Sequence, residues 1–287
     1  MPTSAPHPRS FYETEYNARA SIPDHPHIFA RWQGSSAAVR AAANGRYDLP
    51  YGSARDERLD YFSSGQADAP LVIFIHGGWW RSLDKADFSF IAPAFTSAGV
   101  DIALTNYTLA PAGSIEQMAL QQTRALAWLY QEAATLGFDR RRMVVAGHSA
   151  GAHLAAMMMT TRWPQVAPGL PTNLVKAGFL LSGLYDLAPI EHADFVNGDL
   201  GLTPDRIAKL SPAYLPQSHP IPFFTAVGGL ESSEFKRQNQ LIAAAWQSTH
   251  TGDIALPEAD HLTICDALAT PEHRLCRIAL ALAHASA

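Results

Sequence analysis

Met143-Val144-Val145-Ala146-Gly147-His148-Ser149-Ala150-Gly151-Ala152-His153-Leu154-Ala155-Ala156-Met157 is the stretch on which the reading of this chain turns. The run Met143–Ala146 has the apolar, β-branched make-up of a buried strand, and the residues from Ala150 to Thr160 are helix formers. Between them stands a Gly-x-Ser-x-Gly pentapeptide. A serine on a sharp strand-to-helix turn needs small neighbours, so that the backbone can fold tightly and hold the hydroxyl above the sheet edge. A glycine-serine turn in which Ser149 merely caps a helix would use the same letters; the strand before it and the helix after it favour the elbow. Met157, Met158 and Met159 read as core filler, and His153, one turn beyond Ser149, as a packed or hydrogen-bonded helix histidine.

Outward from this point, short apolar runs recur at Leu71–Ile75, Val100–Leu104, Ala177–Leu181, Pro222–Val227 and Asp253–Leu256. Helical patterns lie between them. The clearest starts at Ser114, with Gln117 three residues on as a capping box, and closes at Gly137; others are expected at Phe88–Ser97, Ala150–Thr160, Phe235–Gln247 and Glu272–Ala285. Such alternation predicts an α/β fold with a mostly parallel central sheet and helices on both faces. Residues 51–287 are read as one catalytic domain. Two stretches do not fit the alternation: an N-terminal arm over residues 1–50, with a helix near Ser35–Ala43, and the Pro-rich residues 185–220, read as an irregular, lid-like insertion.

Composition excludes several classes. The 287 residues are 47% hydrophobic and 16% charged, which suits a large core and not a disordered chain. Against 26 Asp and Glu there are 21 Lys and Arg, a formal charge of −5, and the tightest basic group, Arg140-Arg141-Arg142, is read as a solvated turn, so nucleic acid is not an expected partner. Two cysteines, Cys265 and Cys276, cannot build a disulfide framework; they are read as reduced thiols, although counting alone allows one bridge. No signal-peptide pattern stands in MPTSAPHPRS and no apolar run is of membrane-spanning length, so a cytoplasmic protein without membrane contact is expected. The expected partner is a small-molecule substrate, with a homodimer also admitted.

A second motif, His76-Gly77-Gly78-Trp79-Trp80, follows the strand Leu71–Ile75. Paired glycines after a strand let backbone N–H groups approach a ligand, and beside a nucleophilic serine they form an oxyanion hole. The donors expected are Gly78, Trp79 and Ala150, with His76 orienting the loop.

HGGxW at 76–80, the Asn106-Tyr107-Thr108-Leu109-Ala110-Pro111 segment and GHSAG at 147–151 together resemble the α/β-hydrolase superfamily, and within it the kynurenine formamidase (arylformamidase) group related to carboxylesterases. The resemblance runs from about Tyr51 to the C-terminus. Lipase-like relatives usually carry a third glycine where this chain has Trp79, which tilts the resemblance toward formamidases. It implies an α/β-hydrolase fold and a serine hydrolase that needs no metal and no cofactor. His25-Pro26-His27 is accordingly an isolated pair.

In this fold the triad follows the chain order nucleophile, acid, base. After Ser149 the search finds Glu231, beyond the strand Pro222–Val227, and His261, beyond Asp253–Leu256. Glu234 is the alternative acid, and His250 and His273 are rival bases. Asp260 is too close in the chain to turn onto its neighbour's ring, and Asp186 is read as bracing the loop after Leu184-Tyr185. The substrate pocket is assigned to Trp80, Tyr185 and His148, within a wider set of aromatics: Tyr12, Tyr16, Trp79, Phe195 and Tyr214. The implied reaction is hydrolysis of an aryl formamide such as N-formyl-L-kynurenine through a formyl-enzyme. A carboxylesterase for small acyl esters is the alternative, and a catalytically silent receptor a third reading.

Overall fold

A computed structural model describes residues 7–42 and 45–286; residues 1–6 of the arm, and Ala43 at the end of the helix expected there, lie outside the described residues. Eight strands form one sheet: β1 (Gly45–Pro50), β2 (Arg58–Phe62), β3 (Ala69–Ile75), β4 (Asp101–Thr105), β5 (Phe138–His148), β6 (Ala177–Leu181), β7 (Phe223–Gly228) and β8 (His250–Leu256). Their spatial order is β1-β2-β4-β3-β5-β6-β7-β8; β2 pairs antiparallel with both β1 and β4, and every other neighbouring pair is parallel.

The all-buried strands explain why the apolar runs were continuous rather than alternating. Leu71, Ile73 and Ile75 pack into the core on one face of the sheet while Val72 and Phe74 pack into the core on the other. Period 2 is thus present, but both faces are apolar. The helices on the first face include α5 (Ile115–Leu136) and α6 (Ala150–Thr160), and those on the second include α11 (Thr263–Ala269) and α12 (Arg274–Ala285). The expected capping box is made: Ser114 Oγ accepts from Gln117 N, Gln117 Oε1 accepts from Ser114 N, and Gly137 ends the helix at φ 94°.

Several boundaries differ from the sequence reading, each for a local reason. β1 and β2 were not expected: β1 is a half-exposed edge strand, and β2 carries a buried Asp60 that pairs with Arg40 and, at 3.1 Å, with Lys85, so neither shows an apolar run. The helix expected at Phe88–Ser97 splits into a 3-10 turn, Lys85–Ile91, and α4 (Ala92–Thr96), with Pro93 in the first turn of the latter. The arm holds three helices, α1 (Arg9–Tyr16), α2 (Ala18–Ser21) and α3 (His25–Ala42).

Beyond α6 lies the short α7 (Trp163–Val166). Residues 185–220, expected to be irregular, fold into short helical pieces: 3-10 turns at Pro189–His192 and Pro212–Tyr214 flank α8 (Asp194–Leu200) and α9 (Pro204–Leu210). Pro189, Pro204 and Pro212 stand at helix starts, where the missing N–H costs nothing. The prolines there begin helices instead of breaking them. α10 (Ser233–Ala245) follows β7. Cys265 and Cys276 are buried and unbridged, and no helix among the described residues is long and apolar enough to cross a membrane.

Candidate active site

The carboxyl ends of β3, β5, β6, β7 and β8 converge, as expected for a site in an open α/β sheet. Ser149 joins β5 to α6 with φ 57° and ψ −121°. A non-glycine residue in this region is strained, and the surrounding packing must hold it there. Gly151 shows why the pentapeptide needs its small residues: a Cβ at that position would stand 1.9 Å from the carbonyl oxygen of Ile75, the end of the neighbouring strand. Ala150 opens α6, so its N–H belongs to the first turn, where amides lack an intrahelical acceptor.

Ser149 Oγ lies 3.0 Å from His261 Nε2, and His261 Nδ1 lies 2.6 Å from Glu231 Oε2. All three are buried. The other carboxylate oxygen, Oε1, accepts from Ser182 Oγ at 2.5 Å and from the Gly228 amide at 2.7 Å. Ser182 was not singled out in the sequence; its position directly after β6, at the same sheet edge as Ser149, was the available signal. Glu234 does not join this chain of contacts. Its carboxylate accepts from Tyr16 Oη at 2.6 Å and from Arg237 Nε at 2.9 Å. The rival histidines are also elsewhere: His250 bonds Thr225 at 2.9 Å, and His273 caps α12. Asp260 folds onto Leu262 N and Thr263 N, both at 2.8 Å, and Asp186 accepts from Ala188 N in the loop it was expected to brace.

His148 donates from Nε2 to the carbonyl of His261 at 2.7 Å, fixing the loop that carries that ring. Burial, with His261 close by, pushes its pKa far below the usual histidine range, so it is a neutral positioning group. His153 is likewise buried, bonded to the Leu210 carbonyl, with its pKa pushed down to about 4 by burial.

The loop after β3 is held from beneath. Tyr107 donates to the His76 carbonyl at 2.9 Å and stacks on the His76 ring, centroid to centroid 4.6 Å, while Asn106 Oδ1 is 3.1 Å from His76 Nε2. The Asn106-Tyr107 segment therefore braces the glycine loop. Gly78 has φ 113°, and a Cβ there would meet the Ser82 carbonyl at 2.1 Å; Trp79 and Trp80 follow at φ 55° each. Among the described residues no protein group accepts from the amides of Gly78 or Trp79. Both residues, with Ser149, His148 and His261, line a narrow cavity of about 20 Å³. Free N–H groups and a serine hydroxyl facing one small space can bind an oxygen that gains negative charge.

Of the aromatic residues assigned to the substrate pocket, Trp79 lines this cavity and the others do not. Trp80 is fully buried in the core with its ring edge against His153, Tyr185 is fully buried as well, and Tyr214 is exposed. The aromatic wall comes instead from Phe29 and Trp32 of α3, beside Ala18 and Arg19 of α2. A second cavity, about 260 Å³, shares Ala18 and His261 with the first and is also lined by Ile22, Leu230 and Phe235.

Comparison with known proteins agrees with this architecture. Residues 59–173 match the family model BD-FAE. The kynurenine formamidase of Salmo salar is 32% identical over 95% of this chain and 94% of its own length, and that of Danio rerio 33% over 88% and 87%. Among crystal structures, a Silicibacter sp. protein assigned as a thioesterase superposes with a TM-score of 0.83 at 28% identity, covering 95% of this chain and 98% of that one.

Proposed function

The chain belongs to the kynurenine formamidase family, of α/β-hydrolase fold, and from that premise we propose that it hydrolyses an aryl formamide such as N-formyl-L-kynurenine through a covalent formyl-enzyme. The observation that carries this reading is the contact chain Ser149 Oγ to His261 Nε2 to Glu231, ending in a cavity with room for little more than one water-sized group.

In the proposed mechanism Ser149 Oγ attacks the formyl carbon while His261 Nε2 takes the hydroxyl proton. Glu231, held by Ser182 and Gly228, keeps the imidazole in the tautomer with its proton on Nδ1 and stabilises the imidazolium. The amides of Gly78, Trp79 and Ala150 receive the developing oxyanion. Collapse breaks the C–N bond, and His261 returns its proton to the departing aryl amine. Water, deprotonated by the same imidazole, then attacks the formyl ester and releases formate and free Ser149. The formyl end sits where Ser149, Gly78 and Trp79 meet, and the aryl amine extends from there past the arm residues that line the same cavity toward the adjoining 260 Å³ one. The N-terminal arm and the helical insertion at 185–220 act as the cover, since Trp79 packs edge-on against Tyr16 of α1 and Phe195 of α8.

The same machinery would serve a carboxylesterase, so substrates decide. Purified protein is expected to turn over N-formyl-L-kynurenine with higher kcat/KM than p-nitrophenyl acetate, and to reject p-nitrophenyl butyrate. Ser149→Ala is expected to lower kcat by about 10⁶-fold. Ester turnover with no detectable formamide turnover would sink the formamidase reading, and a fully active Ser149→Ala variant would sink the nucleophile.

A further inference from the structure

The cavity beside Ser149 is lined by one guanidinium that pairs with no carboxylate among the described residues. Arg19, in α2, is half-buried and lines the Ser149 cavity. Its Nη2 donates to Ser82 Oγ at 2.8 Å, and Ser82 Oγ in turn donates to the Gly78 carbonyl at 2.9 Å, so the guanidinium is tied to the glycine loop. Its carbon centre stands 5.1 Å from the Phe29 ring centroid. Among the described residues no carboxylate pairs with it. Its neighbour Arg81 is different: it forms a 2.7 Å ion pair with Asp199. Burial, and secondarily Arg81, lower the Arg19 pKa, the signature of a cation placed where it is not compensated.

A half-desolvated guanidinium without a counter-ion is costly, and such groups are normally paired. The cavity lining supplies no partner: Arg19, His148 and His261 are its ionisable members, and Glu231 stands behind the His261 ring. The carboxylates of Glu15, Asp24, Glu231 and Asp260 line the adjoining cavity instead. Guanidinium geometry favours a planar, two-oxygen acceptor.

We propose that Arg19 is a specificity-determining residue that binds a carboxylate carried on the leaving-group side of the substrate. This rests on the serine-hydrolase reading above and names what that site selects: an aryl amide or ester bearing an anionic substituent, over its neutral counterpart. Because α2 belongs to the N-terminal arm, the arm is then part of substrate recognition and not only a cover.

The test uses two substrate pairs on the full chain: 2-formamidobenzoate against formanilide, and 4-acetoxybenzoate against phenyl acetate. Each pair differs by a carboxylate on the leaving-group side, and the readout is the ratio of kcat/KM within the pair. Arg19→Ala is expected to lower that ratio about 10- to 100-fold, mainly through KM of the anionic member, and Arg19→Lys to restore part of it. A merely structural role would depress both members together, and an unchanged ratio overturns the proposal. If the wild type hydrolyses the acetates but neither formamide, the formamidase reading fails, and the acetate pair still decides for or against Arg19. Should Arg19→Ala not fold by circular dichroism, Arg19→Gln, which keeps a donor toward Ser82 without the charge, takes its place.

Discussion

The carboxyl edge of the sheet and the N-terminal arm enclose the same cavity, yet they are built on different rules. At the sheet edge Ser149, His261 and Glu231 have fixed partners: Glu231 receives Ser182, Gly228 and His261, and His148 holds the His261 carbonyl. Left-handed backbone at Trp79, Trp80, Ser149 and Ser182 is concentrated there. The arm is attached by packing and a few polar anchors, chiefly Tyr16 on Glu234 and Gln238, and Arg31 and Trp32 on Asp266, at 2.6 to 3.1 Å. The edge supplies hydrogen-bonded positions, whereas the arm supplies a wall.

The largest expected effect tests whether two glutamates three residues apart really belong to these different regions. Glu231→Gln should lower kcat by about 10⁴-fold, because an amide cannot hold the imidazole in the required tautomer or stabilise its cation. Glu234→Gln should change kcat by less than about tenfold, since Glu234 anchors the arm and does not touch His261. Steady-state kinetics on both variants checks the pair. Comparable losses would mean that the distinction between edge and arm is false.

That contrast also explains what the sequence could convey. Ser149, Glu231 and His261, which the structure brings together, could be singled out because the proposed chemistry demands given residue types at the ends of successive strands, and the apolar runs marked those strands. The acid's supporting hydroxyl, Ser182, was not legible, because one serine after a strand looks like any turn residue. The pocket walls were the least legible. Trp80 and Tyr185 have the right composition but face the core, whereas Phe29 and Trp32 reach the cavity from a helix more than a hundred residues before Ser149 in the chain. Tertiary packing chose among equivalent aromatics, and spacing carries no trace of that choice.

Trp79 sharpens the comparison because it belongs to the edge while packing against the arm. Its φ of 55° is one that glycine adopts without strain. Trp79→Gly should therefore relax the backbone while removing the indole that fills the acyl side. The expected result is a rise of about tenfold or more in the p-nitrophenyl butyrate to acetate ratio of kcat/KM. An unchanged ratio would show that another residue sets acyl size.

Acid should act on the edge side through buried histidines. His76, His148 and His153 all have pKa values lowered by burial, His153 to about 4. The unfolded chain binds protons near pH 6.5, the folded one only lower, so the stability these neutral rings contribute is present above about 6.5 and is lost as pH falls toward 4. For His153 alone the loss between pH 7 and 5 is about 2 kcal/mol. Urea unfolding at both pH values should show it, and His153→Gln should flatten the slope by that amount. An equal slope in wild type and variant would contradict the assignment.

The smallest effect concerns the arm's buried anchor. Tyr16 is fully buried, and its hydroxyl sits 2.6 Å from Glu234 and 3.1 Å from the Gln238 side-chain amide. Tyr16→Phe keeps the ring against Trp79 and Phe235 and removes the hydroxyl alone. Arg237 still compensates the Glu234 charge, so the cost should stay near 1–2 kcal/mol rather than that of a stranded carboxylate. If the arm is a wall held by this anchor, that loss should be local. Cleavage by a nonspecific protease within residues 7–24 should accelerate, and KM should rise several-fold while kcat changes little. A variant with wild-type cleavage and KM but a lower Tm would place the anchor in the global fold, and the arm would then be as rigid a part of the molecule as the sheet edge it faces.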